Sequence, residues 1–226
     1  MEKIKKQRDI KTEIKKMSEE IINNKISAKG AFLKVYEITE SVDKMLEQLQ
    51  LSEYELLKFR NIVSGKRKLE FLGIRIAFKE MFGKELEIRY DVDGKPYLID
   101  NSYDISISHS KKWIAVMAHP TRPVGIDIEC RNDKIQKIYK RFLSEMEQKE
   151  LSNGENTSQL ELAWSAKEAL FKIIGNQAVD FSKQLRIFPF EAKNQGEIFA
   201  EHIPTNKKYE LSYIQTSAYS LVYCLA

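Results

Sequence analysis

Two segments of this chain open alike, close alike and have the same length. Leu51-Ser-Glu-Tyr-Glu55 begins a stretch that closes at Gly83, and Leu143-Ser-Glu-Met-Glu147 begins one that closes at Gly175. In both, the glycine stands 32 positions after the leucine, and the two segments start and end 92 residues apart. In each, a Leu-Glu pair (Leu69-Glu70, Leu160-Glu161) starts the helix that the glycine ends, within one residue of register. Two short matches can arise by chance, but their equal spacing points to an internal duplication. A duplicated chain is expected to fold as α+β, with two similar lobes related by a pseudo-two-fold axis. Each lobe would be a small antiparallel sheet with a packed helix, and the two would enclose a pocket at their seam. The expected division is a basic helical extension over 1–30, an N-terminal lobe over 31–123 and a C-terminal lobe over 124–226.

Between the two repeats lies Val124-Gly-Ile-Asp-Ile-Glu129. Val124, Ile126 and Ile128 alternate with Gly125, Asp127 and Glu129, the period of two expected of a strand. One face is apolar and suits a core. The other carries two carboxylates roughly 6.5–7 Å apart at the backbone, close enough for their oxygens to converge on one ion. Gly125 is expected to leave room beside them for a ligand. Anions pressed against a core strand call for a cation, and oxygen-only ligands suit magnesium or manganese. An edge strand bearing two solvated acids would read the same, so this stretch alone leaves the matter open.

Three further stretches carry chemistry-bearing residues. Trp164-Ser-Ala-Lys-Glu-Ala-Leu-Phe-Lys172 reads as a helix with one buried stripe (Leu160, Ala163, Trp164, Phe171, Ile174), on which Glu168 and Lys172 are neighbours four apart. An ordinary surface Glu–Lys pair has the same spacing. Ile105-Ser-Ile-Ser-His-Ser110 reads as a strand, Tyr103–Ser108, running into a turn formed by His109, Ser110 and two lysines. Its hydroxyls, backbone N–H groups and imidazole would suit a phosphate. Gly94-Lys95-Pro96 is a rigid turn presenting one lysine. Residues 131–142 read as a helix that is basic through Arg131, Lys134, Lys137, Lys140 and Arg141.

Composition narrows the classes. Residues 1–30 hold nine basic and five acidic side chains, which accounts for the whole net charge of +4 and leaves a neutral body. A nucleic-acid binder carries its positive charge on the folded domain, so none is expected here. Two cysteines, Cys130 and Cys224, in no metal spacing argue for a reducing compartment, read as the cytoplasm. No apolar run reaches the length of a membrane span, and the lysine-rich start lacks the apolar core of a signal peptide.

In this order the motifs resemble those of the 4′-phosphopantetheinyl transferases of the surfactin-synthetase-activating (Sfp) type. The resemblance runs from about Phe32 to Leu185. It is carried by Gly-Lys-Pro-Tyr at 94–97, Ile-Ser-His-Ser at 107–110, Val-Gly-Ile-Asp-Ile-Glu at 124–129, Arg-Phe-Leu-Ser-x-x-Glu at 141–147 and Trp-Ser-x-Lys-Glu-Ala-x-x-Lys at 164–172. The resemblance implies coenzyme A and an apo acyl or peptidyl carrier protein as substrates, and adenosine 3′,5′-bisphosphate as the product released. It further implies Asp127, Glu129 and Glu168 as magnesium ligands, and Lys172 as the neutraliser of charge on the transferring phosphate. Glu168 or Glu147 would take the carrier serine's proton through a water. His109, with Ser108 beside it, would contact the 3′-phosphate, with Lys58, Arg67 and Arg75 as further candidates for it. Lys95 would line the nucleotide pocket. A duplication within one chain makes a monomer sufficient to build the seam. Two rivals stand beside this reading. One is a magnesium-dependent nucleotide or diphosphate hydrolase built on the same three acids. The other is a non-catalytic carrier-binding protein, against which the intact acids and Lys172 argue.

Overall fold

The computed structural model describes residues 30–131, 134–151, 156–175 and 179–226. The helix expected over residues 1–26 lies outside them, as does most of the loop expected over 152–158.

The first lobe begins with β1 (Phe32–Glu37), followed by the helices α1 (Val42–Glu47), α2 (Glu53–Arg60) and α3 (Gly65–Phe82). A short hairpin, β2 (Ile88–Tyr90) and β3 (Pro96–Leu98), leads to β4 (Asp104–Ser110) and β5 (Trp113–His119). The strand order is β1-β5-β4, antiparallel throughout. The second lobe runs β6 (Val124–Glu129), α4 (Ile135–Ile138), α5 (Glu145–Glu150), α6 (Thr157–Ile174) and α7 (Phe181–Gln184). It closes with β7 (Leu185–Ile187), β8 (Gln195–His202), β9 (Lys207–Gln215) and β10 (Ser220–Leu225), in the sheet order β6-β10-β9-β8-β7.

Local chemistry sets these boundaries. Ser52 and Ser144 each close a capping box with the glutamate three residues on, satisfying the first backbone donors of α2 and α5. The glycines that end α3 and α6 adopt φ 69° and 67°, the left-handed turn that a side chain resists. The step of 92 therefore recurs in the elements: β1 and β6, α3 and α6 start and end 92 residues apart.

Two readings shift. His109 and Ser110 belong to β4, and the turn falls at Lys111-Lys112, with Lys111 at φ 55°. The helix expected over 131–142 shrinks to α4 and a 3₁₀ turn, Tyr139–Arg141, because Ile135 alone of α4 is buried to anchor it.

The lobes share a core layer. Leu33, Val35, Ala115 and Met117 of the first sheet pack with Val124, Ile126 and Ile128 of β6 and with Ile214 and Leu221. Trp113 packs against Tyr219 across that layer, ring centroids 4.8 Å apart and planes tilted by 60°. The edge strand β4 runs beside the edge strand β6. Instead of a backbone ladder, serine hydroxyls join them.

Candidate active site

Helix α6 presents two functions on adjacent residues. Lys167 points into the second lobe and is fully buried, its ammonium 2.7 Å from Glu147 Oε1. It also donates to the carbonyl oxygens of Phe142, Phe181 and Leu185 at 2.8, 2.8 and 2.7 Å. Burial lowers its pKa and Glu147 raises it in part. One residue on, the helix has turned by about 100°, and Glu168 faces the seam. Lys172, one turn further, donates to Ile126 O at 2.7 Å and to Asp127 Oδ1 at 3.0 Å.

Asp127 is 4% exposed. Both of its donors use one oxygen: Ser108 Oγ also donates to Oδ1, at 2.8 Å. Among the described residues, Oδ2 is buried with no partner. Glu129 accepts from Ser110 Oγ at 2.9 Å, and the nearby Trp164 side chain favours its ionised form.

The three acids feel one another. Burial first, then the charge of Asp127, pushes the Glu168 carboxyl up to about 7, with Glu129 adding to the rise and Lys172 opposing it. Glu129 is raised for the same two leading reasons, against the pull of Ser110, Lys172 and Trp164. Among the described residues, no three His, Cys, Asp or Glu side chains stand close enough together to grip a metal as they are. The donor set nonetheless suits a hard divalent cation. It has three carboxylates, one compensating ammonium and a buried carboxylate oxygen without a donor.

Above these residues a cavity of about 320 Å³ opens between the lobes, lined by Lys95, His109, Glu168, Phe171 and Lys172 among others. His109 is half-exposed, with Nδ1 3.5 Å from Glu70 Oε1. Four candidates thus meet in one cavity, and Asp127 is tied to it through Lys172.

The remaining candidates are placed elsewhere. Ser108 turns away from His109 because alternate residues of a strand face opposite sides. Its hydroxyl goes to Asp127 and joins the lobes, while Ser106 of the same strand is among the residues lining the cavity. Glu147 is wholly buried, accepting from Lys167, from the backbone N–H and hydroxyl of Ser144 and from Ile187 N. A carboxylate so occupied cannot reach a substrate proton. Arg75 is buried too, its Nε 2.8 Å from Glu55 and its guanidinium 3.3 Å over the Phe71 ring. That leaves it no phosphate to meet. Lys58 is exposed over Tyr54, and Arg67 is exposed in the first turn of α3. Gly125 does not make room for a ligand. A Cβ there would stand 2.1 Å from Ala169 O, so its missing side chain is what lets α6 lie on β6. That Ser110 holds Glu129 escaped the sequence reading, which placed it in a turn suited to a phosphate. The alternation of Ser106, Ser108 and Ser110 was the available signal, but spacing does not say what a strand face meets.

Comparison with known proteins fits this geometry. The 4′-phosphopantetheinyl transferase superfamily matches residues 123–224. A holo-[acyl-carrier-protein] synthase of Anoxybacillus flavithermus is 35% identical over 97 residues, covering 35% of this chain and 79% of that one. The 4′-phosphopantetheinyl transferase Sfp of Bacillus subtilis is 28% identical over 175 residues, 74% of this chain and 70% of its own. The 4′-phosphopantetheinyl transferase gsp of Aneurinibacillus migulanus is 30% identical over 127 residues, 47% and 52% of the two chains.

Proposed function

The chain belongs to the 4′-phosphopantetheinyl transferase superfamily, and from that premise we propose that it transfers the phosphopantetheine arm of coenzyme A to a serine of an apo acyl or peptidyl carrier protein, dependent on magnesium. The observation that carries this reading is the meeting of Lys95 and His109 from one lobe with Glu168 and Lys172 from the other around a single cavity.

In the reaction the serine Oγ–P bond forms, the P–O bond to adenosine 3′,5′-bisphosphate breaks, and the serine proton must leave. Glu168, facing the cavity, would take it through a water. Lys172 supplies a fixed positive charge beside the transferring phosphate, where negative charge grows on the non-bridging and leaving oxygens. Lys95 and His109, on the far wall, suit the nucleotide and its 3′-phosphate. Asp127, Glu129 and Glu168 would hold the magnesium ion, which supplies charge stabilisation on the pyrophosphate when bound. Both cavity walls come from one chain, so a monomer suffices.

The exposed basic side chains Arg131, Lys134, Lys137, Lys140 and Arg141 follow β6 directly and suit an acidic carrier surface. The test is intact-mass analysis of a panel of apo carriers incubated with the protein, coenzyme A and magnesium. One carrier gaining the mass of the phosphopantetheine arm supports the reading. Adenosine bisphosphate released while every carrier stays apo would replace it with the hydrolase.

A further inference from the structure

Three serines alternate along β4, and the one-strand spacing sends all of them toward β6. They do not perform the same task there. Ser106 Oγ accepts from the backbone N–H of Ile126 at 3.1 Å. Ser108 Oγ donates to Asp127 Oδ1, and Ser110 Oγ to Glu129 Oε2. So the first lobe, which contributes none of the three carboxylates, reaches across the seam and fixes two of them. At Asp127 the consequence is specific. Ser108 and Lys172 both occupy Oδ1, and among the described residues Oδ2 is left buried and without a donor. Two hydrogen bonds thereby select which oxygen stays available and keep the carboxylate plane from rotating.

We propose that Ser108 and Ser110 are positioning residues for the divalent cation, holding Asp127 and Glu129 in the orientation that binds it, so that cation affinity depends on the first lobe. The inference rests on the metal-dependent reading above and concerns residues that the reading does not use. Partners that orient a metal's ligands typically change its affinity by about 10–100-fold when removed. Withdrawing a hydrogen bond also makes the carboxylate more basic, which opposes the loss. Orientation outweighs this, because without Ser108 the ammonium of Lys172 is the one remaining donor to the Asp127 carboxylate among the described residues.

Ser106 provides the control, since it sits on the same strand face and joins the same seam without touching a carboxylate. Manganese(II) binding to the full-length protein, read by its electron paramagnetic resonance signal, is compared for wild type and for Ser106→Ala, Ser108→Ala and Ser110→Ala. Melting temperatures are taken in parallel, and Ser108→Thr and Ser110→Thr, which keep the hydroxyl, are included. The expected result is binding weakened about tenfold or more by alanine at 108 and at 110 and restored by threonine. Ser106→Ala should lower the melting temperature and leave binding unchanged. Wild-type binding in the folded alanine variants at 108 and 110 overturns the proposal and leaves the transferase reading standing. Equal weakening by Ser106→Ala also overturns it, assigning the effect to seam packing. If wild type itself takes up no manganese, the metal assignment falls with it, and the carrier mass assay judges the transferase reading separately.

Discussion

Positions 92 residues apart in the two lobes share a scaffold and part company where the seam begins. Glu55 pairs with Arg75 in the first lobe, and Glu147 with Lys167 in the second, each glutamate also capping its own helix. These pairs hold the long helix of each lobe to the segment before it. One residue beyond, the lobes diverge: Ile76 stands where the second lobe has Glu168. Ile76 is packed in an apolar cluster with Met45, Leu49, Phe59 and Leu72, whereas Glu168 lines the cavity. Val35 of β1 corresponds to Asp127 of β6. A tie from helix to strand recurs with its charges exchanged but one residue out of register on the strand, since Lys34 corresponds to Ile126. Glu80 of α3 meets Lys34 of β1 at 2.7 Å, and Lys172 of α6 meets Asp127 at 3.0 Å. The difference teaches that the scaffold does not require charge at these positions. The second lobe carries acids there because that face of α6 opens on the seam.

Four measurements sharpen or break this comparison. The largest effect is expected from giving the second lobe the first lobe's residue. Asp127→Val should abolish most transfer, roughly a thousandfold if several kcal/mol of charge stabilisation is lost. It should leave the melting temperature within a few degrees, since valine is at home in β1. Transfer at the wild-type rate under saturating magnesium would remove Asp127 from the site.

The buried pairs come next. Removing one partner of such a pair leaves an uncompensated buried charge and costs about 3–5 kcal/mol. Lys167→Met should cost more than Arg75→Met, because it also strips the donor from three buried carbonyls. Chemical denaturation of both variants checks the order, and equal losses would contradict it.

A third difference is in pH response. Glu168 and Glu129 have folded pKa values raised above their unfolded ones, so their neutral forms favour the folded state. Their contribution to the stability of the metal-free protein is therefore fully present below the unfolded carboxylate range and is lost as pH rises through about 7, where Glu168 ionises. Saturating magnesium should flatten that decline. A metal-free melting temperature that climbs between pH 5 and about 7.5 would reverse the sign and refute the burial of these acids.

The smallest effect concerns the carrier surface. Replacing Lys134 and Lys137 by Glu should raise the carrier KM several-fold, spare the KM for coenzyme A and flatten its salt dependence, because complementary charge acts mainly on association. Carrier kinetics at two ionic strengths decide this, and unchanged values would place docking elsewhere.

Much of this architecture was legible because its signals are local. A serine with a glutamate three residues on, a glycine after a periodic run and strict alternation at 124–129 each depend on neighbours in sequence. What escaped depends on which faces meet. Nothing in the spacing around Glu147 tells a buried partner of Lys167 from a base, since both need a carboxylate on a capped helix. Ser108 looked like a companion of His109 through adjacency, yet a strand sends neighbours to opposite sides. Arg75 was a candidate through the resemblance alone; the glutamate that removes it from solvent lies 20 residues earlier.

The close packing of Gly125 has a consequence for how this chain tolerates change. A methyl group at that position would meet Ala169 O at 2.1 Å and would have to lift α6 by roughly 1 Å to reach ordinary contact. Ala169 follows Glu168 directly and lies within a turn of Lys172, so both side chains would move off the seam together. A residue that donates, accepts and ionises nothing is thus bound to the inheritance of function as tightly as the acids beside it. In a library covering every substitution of β6, position 125 should reject replacements as severely as position 127, though nothing about its chemistry would have marked it.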